Sequence, residues 1–276
     1  MTTAPAADTA ARTPAGHPPP GFGAALRSEW RKFRALPSNR AIIGAALALT
    51  VGITVVMTVF GDTAAMAREQ NDGRYAVIFF GATLGVWAFS ALAANVVAAE
   101  YRQGTIAMTF TATPRRWRPV TAKLVVIAAA AFVAGHVVSL VNFAITQAAL
   151  GAAGESTVSL SDPGMLRAAL VYIPLSMVVQ SLLTACAAVV LRTAPGAFAF
   201  VVLLGALPVV GAQFLGRWWG ETIPRHMAGA AAESVAGIAV PGTPGYLPTM
   251  AAGLVIVVWL AVFVAIALTV SARRDA

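Results

Sequence analysis

Long apolar runs separated by short polar breaks dominate the chain, and their lengths carry the first conclusion. Six runs cover about residues 41–60, 75–99, 120–150, 165–191, 196–215 and 247–270. Each comes close to or exceeds the roughly 20 residues that cross about 30 Å of hydrocarbon at 1.5 Å per residue. In lipid an open strand leaves its N–H and C=O groups unsatisfied, and the short alternating segments of a barrel are absent. All six are therefore expected to be helices. The pattern predicts an all-α membrane protein with a six-helix transmembrane domain over 41–270. Pro174 and Pro208 fall inside the fourth and fifth runs and are expected to kink them.

Residues 24–37 follow a different period. Leu26, Trp30, Phe33 and Pro37 lie within about 60° of one another at 100° per residue, while Arg27, Glu29, Arg31, Lys32 and Arg34 occupy the remainder. This predicts an amphipathic interfacial helix, with Leu26, Trp30 and Phe33 against membrane lipids at headgroup depth and the bases toward anionic headgroups. Pro37-Ser38-Asn39 is expected to end that helix in a turn. Residues 1–23, rich in Ala, Thr and Pro, are expected to form a disordered tail, and they lack the apolar core of a secretory signal. Between the fifth and sixth runs, 216–246 carries Trp218, Trp219 and two Pro-Gly clusters, and is expected to form short helices that dip into the interface.

Composition agrees with the pattern: 58% hydrophobic residues, 11% charged, and a mean hydropathy of +0.77. The net charge of +8 does not point to nucleic acid, because the bases flank apolar runs and form no binding motif. They set an orientation instead. With both termini on one side, fourteen of the nineteen basic residues share that side, which makes the termini and the 100–119 loop cytoplasmic and 216–246 external, in a plasma membrane. Only Lys32 and Lys123 among the bases are lysine, which reads as a compositional habit. Cys186, the single cysteine, lies in an apolar run and offers neither a disulfide nor a Cys-based metal cluster.

No enzyme motif is found. Neither lysine follows a glycine as a phosphate-binding loop requires, and HExxH and GxSxG are absent, so the chain holds no catalytic, cofactor or metal residues of its own. The polar groups expected within the spans are mild. Asn95, His136 and Asn142 are candidates for a substrate path, with interhelical hydrogen bonding the simpler account of His136 and Asn142. No carboxylate falls mid-span, which weighs against an ion-coupled carrier.

The most polar break is 100–119. There Glu100-Tyr-Arg-Gln-Gly-Thr-Ile106 is followed by Thr113-Pro-Arg-Arg116, with Lys123-Leu124 opening the third run. Glu100 and Arg102 are suited to charge-assisted contacts and Gly104 to a sharp bend; Thr105, Ile106, Met108 and Phe110 fall on a short helical stretch whose apolar side chains can insert into a partner. Pro114 ends that stretch, while Arg115 and Arg116 hold it near the inner leaflet.

The Glu100–Ile106 and Thr113–Arg116 patterns resemble the first cytoplasmic loop of ABC-2 type permeases, the membrane subunits of ABC exporters. The interfacial helix with Glu29-Trp30 and Lys32, the six spans and the longer segment before the last extend the resemblance along the chain; the Pro-rich tail departs from it. The resemblance implies that 100–119 is a coupling loop, seated on a separate ATP-binding cassette subunit that carries the ATP and magnesium. It implies a second membrane subunit, identical or not, and substrate efflux across the plasma membrane. Two other readings stay open: a non-transporting membrane regulator that binds a cytosolic protein through the same loop, and an ion-coupled carrier.

Overall fold

The computed structural model describes residues 21–61, 73–105, 117–155, 157, 161 and 163–273. The expected tail up to residue 20 lies outside them, as do Ile106, Met108, Phe110, Pro114, Arg115 and Arg116. Among the described residues every regular element is helical. A short helix α1 (Phe22–Ala35) precedes α2 (Pro37–Phe60), α3 (Gly73–Arg102) and α4 (Trp117–Ala152). Then come α5 (Pro163–Leu191), α6 (Ala194–Phe214), the short α7 (Arg217–Thr222) and α8 (Ala228–Val235), and finally α9 (Thr249–Arg273).

Six of these, α2, α3, α4, α5, α6 and α9, are long and apolar enough to cross a membrane. The chain is thus a multi-pass membrane protein by the length and hydropathy of its helices. Successive long helices alternate in direction. The starts of α2, α4 and α6 and the ends of α3, α5 and α9 therefore gather at one end of the bundle, together with α1, and α7 and α8 lie at the far end.

The turn between α1 and α2 is tighter than its sequence implies. Pro37 does not terminate α1; it opens α2 in the first turn, after Leu36 as the single extended residue between the helices. A proline is favoured there because the first N–H groups of a helix have no intrahelical partner to lose. The buried Asn39 side chain donates to the Phe33 carbonyl at 3.0 Å and satisfies one of the acceptors left over at the end of α1.

Packing divides the helices into a centre and a perimeter. α3 and α5 are mostly buried, whereas α2, α6 and α9 turn most of their surface outward, with Phe60, Leu207, Phe214 and Leu254 among the exposed large side chains. In lipid these cost nothing to expose, so close packing rather than hydropathy joins the helices. Small residues let it happen. A Cβ on Gly81 of α3 would stand 2.8 Å from the Thr50 carbonyl of α2, and one on Gly135 of α4 would stand 2.6 Å from the Pro174 Cα of α5.

Pro174 acts on its helix in a definite way. The turn before it, Ala168–Tyr172, widens to a π-helix, and the Ile173 N–H reaches back to the Ala168 carbonyl. A proline has no N–H for the α-helical ladder and crowds the carbonyl four residues earlier; one wide turn accommodates both. Pro208 sits inside α6 without ending it.

Candidate functional site

The helix ends that flank residues 106–116 meet α1 in a compact arrangement of four charges. Glu29 and Lys32 come from α1, Glu100 from the last turn of α3 and Lys123 from the first turns of α4. The Lys32 ammonium lies 2.7 Å from Glu29 Oε1 and 3.0 Å from Glu100 Oε1. Lys123 donates to Glu29 Oε2 and, at 2.8 Å, to Glu100 Oε1. Each cation thus bridges both anions, and the four alternate in sign around a closed ring with no net charge.

The ring is largely withdrawn from solvent. The Glu29 side chain is 4% exposed, Lys123 11% and Glu100 12%, while Lys32 at 41% forms the outer edge. Isolated ions at such burial are costly, so their pairing is what allows them inside. Burial pulls the Lys32 ammonium down, but its hydrogen bond to Glu29 and the charges of Glu100 and Glu29 outweigh that and hold it above its ordinary value.

α1 owes its position to this ring and to one aromatic side chain. Phe33 is buried at 8%, on the same helix face as Glu29 one turn earlier. Trp30 is 43% exposed and stacks on Phe33 with ring centroids 6.2 Å apart, and the Arg34 guanidinium lies 5.9 Å from its centroid. Leu26 packs partly buried against the core. The three residues expected to share one lipid contact are therefore divided, with Phe33 turned to the bundle and Trp30 outward. Glu29, placed by its period on the polar side, is among the most buried residues of α1 because two ammoniums wait for it.

A cavity of about 650 Å³ opens beside the ring, walled by α1, the start of α2 and the ends of α3 and α4. Gln103, Thr105 and Pro119 line it together with all four charged residues. Where α3 ends, Gly104 adopts φ +66°, a conformation open to glycine at little cost, and the Thr105 hydroxyl lies 3.5 Å from the Glu100 carbonyl. Arg102 does not enter the ring; it donates to Asn95 Oδ1 at 2.8 Å. Nearby, Arg192 joins α5 to α6 at φ 58°, and its guanidinium lies 5.3 Å from the centroid of the Tyr101 ring.

The three residues offered as a substrate path do not come together. Asn95 serves Arg102, and His136 Nδ1 pairs with the Phe132 carbonyl on its own helix at 2.9 Å. Asn142 is fully buried; it accepts from the Thr54 hydroxyl and donates to the Val138 carbonyl at 2.8 Å, a bond between helices and one within. Thr50, Thr54 and Thr58 carry the same seam along α2: the Thr50 and Thr58 hydroxyls donate to the carbonyls four residues back, and the Thr54 hydroxyl, whose one proton goes to Asn142, lies 3.0 Å from the Thr50 carbonyl.

The sequence held a signal for the ring that its composition disguised. Lys32 and Lys123 are the chain's two lysines, and both lie in it. An ammonium is a compact point charge with three donors free to turn, which suits a position between two carboxylates; the planar fork of arginine suits one carboxylate at a time. Fold and site together define a multi-pass helical membrane protein whose short leading helix is ionically fastened to two of its spans. Compared with models of known protein families and with curated proteins, the chain matches none.

Proposed function

We propose that the chain is the membrane subunit of an ATP-driven exporter of the ABC-2 type, coupling a separate ATPase subunit to efflux across the plasma membrane. The observation that carries this reading is the four-charge ring. It binds α1 to the two helix ends that flank 106–116, so a force applied to that segment by a soluble partner reaches α1, α3 and α4 as one body. Such rigid connection is what an energy-coupling contact needs, because a segment on a loose tether would move alone. The resemblance of Glu100–Ile106 and Thr113–Arg116 to the ABC-2 loop supplies the identity of the partner, and ATP and magnesium belong to that partner. In the same reading the α1 end is cytoplasmic, and the exposed faces of α2, α6 and α9 meet lipid and a second membrane subunit.

The test is photo-crosslinking from Ile106 and Phe110 in the native host, with expression and labelling verified. Capture of an ATP-binding cassette subunit is the expected result. Capture of a different soluble protein replaces the exporter with a membrane regulator, and capture of lipid alone removes the coupling role.

A further inference from the structure

The 650 Å³ cavity beside the ring is of a size that holds small molecules, for which sites typically measure about 300–1,000 Å³, and it presents hydrogen-bonding groups of both kinds. Both hydrogen bonds to the Glu100 carboxylate fall on Oε1, and Oε2 receives none from the described residues. Asn39 stands at the inner wall, 1% exposed. Its Nδ2 is spent on the Phe33 carbonyl, which fixes the orientation of the amide and leaves Oδ1 buried without a donor among the described residues. Such an acceptor is the exception in a folded protein and asks for a partner. A donor is on offer as well. The Lys32 ammonium has three N–H groups, two of which go to carboxylates, and it is the exposed edge of the ring. Two acids and two bases are the charged lining residues, and Ala24, Ala25, Phe33, Leu36, Val96 and Ala99 add apolar surface.

An occupant that answers all of this has an ammonium with N–H donors, an anion close to it, no net charge and an apolar body. We infer that the cavity holds the headgroup of a phospholipid with a primary amine, phosphatidylethanolamine. The ammonium donates to Glu100 Oε2 and toward Asn39, the phosphate accepts from Lys32 with charge assistance, and the glycerol and chains follow the apolar wall outward. A choline headgroup has the same charges but no N–H, so it leaves both acceptors unmet. The place suits a lipid: α1 lies against the ends of membrane-spanning helices, with Trp30 exposed as at headgroup depth. The lipid sits there whatever protein docks on 106–116.

Native mass spectrometry of the full chain, released from detergent after titration with dioleoyl lipids, counts bound molecules against lipid concentration. Stepwise methylation of phosphatidylethanolamine to phosphatidylcholine removes one N–H at a time and changes neither phosphate nor chains. One tightly held phosphatidylethanolamine is expected, about tenfold tighter than phosphatidylcholine, with affinity falling at each methylation. Ala25→Phe puts a ring into the cavity, alters no charge, and should abolish the preference while the thermal midpoint is kept. Equal affinity across the series, or a preference that survives Ala25→Phe, would overturn the assignment. Tighter binding of phosphatidylglycerol would also overturn it, by giving the lipid to the arginines of α1. Glycerophosphoethanolamine, which has no chains, separates the sources: binding as tight as that of the intact lipid would make the occupant a solute and overturn the lipid. Crosslinking from Ile106 and Phe110 reads the docked protein alone, so the exporter can fail while this site stands, and the reverse holds as well.

Discussion

The two ends of the bundle solve opposite problems with polar groups. At the α1 end, four charges from three helices neutralise one another around a closed ring, and the adjoining space is lined by the ring itself. At the far end the Glu233 carboxylate accepts from the Tyr172 hydroxyl at 3.3 Å, beside a cavity lined by indoles and aliphatic side chains. The first arrangement pairs opposite charges and holds three helices together; the second joins α8 to α5 through a neutral hydroxyl donor. Charge in a membrane protein thus tells little by its presence. What it does depends on the groups the fold brings against it.

The contrast can be broken most severely at Lys123. Lys123→Ala leaves two carboxylates around one ammonium, and removal of one partner from a buried pair costs about 3–5 kcal/mol. Thermal unfolding in detergent should show a marked fall. Equal stability would mean that the ring is not holding α1. Lys32→Ala should cost clearly less, since Lys32 forms the exposed edge.

A smaller loss, about 1–3 kcal/mol, is expected for Gly135→Ala, because the new methyl would press on the Pro174 backbone, which has no rotamer with which to yield. An unaltered midpoint would show that α4 and α5 can part there at no cost. Asn142→Leu should matter less again, by about 0.6 kcal/mol, the usual worth of a hydrogen bond between helices in a membrane. A loss as large as that of Lys123→Ala would make the neutral seam, and not the ring, the stronger fastening.

The mildest test is pH. Lys32 has a folded pKa above its unfolded value, so its contribution is fully present below about 10.4 and is lost only as pH rises through the higher folded value. Protease protection of α1 should therefore be flat between about pH 7 and 9 and decline only in stronger alkali. A fall within the neutral range would assign the fastening to some other group.

Hydropathy made the six long helices legible, because lipid demands length and apolarity whatever the helices touch. It could not show which face of α1 turns inward. By period Glu29 belonged with the arginines, and only its meeting with Lys123, a contact between residues far apart in sequence, reverses that. Pro37 was ambiguous for a related reason: the same residue stops one helix and starts the next, and a single intervening residue was enough to switch its role. Glu100 was visible as an odd acid among bases, yet its partners in the structure are intramolecular lysines. The candidates Asn95, His136 and Asn142 share polarity and approximate depth, but helix rotation sends them to three different neighbours.

The close approach of Gly135 to Pro174 has a mechanical consequence. α4 is one unbroken rod of 36 residues, and at 1.5 Å per residue the crossing point lies roughly 18 Å from Lys123 and roughly 25 Å from Ala152. Backbone pressed on backbone makes a natural pivot, since neither side has a flexible side chain to absorb a tilt. A rod turning there delivers to its long arm about 1.4 times the travel imposed on its short arm, in the opposite direction. Pulling the ring inward by an ångström would swing the distant end of α4 outward by more than that, with no helix bent and no hydrogen bond of its ladder broken.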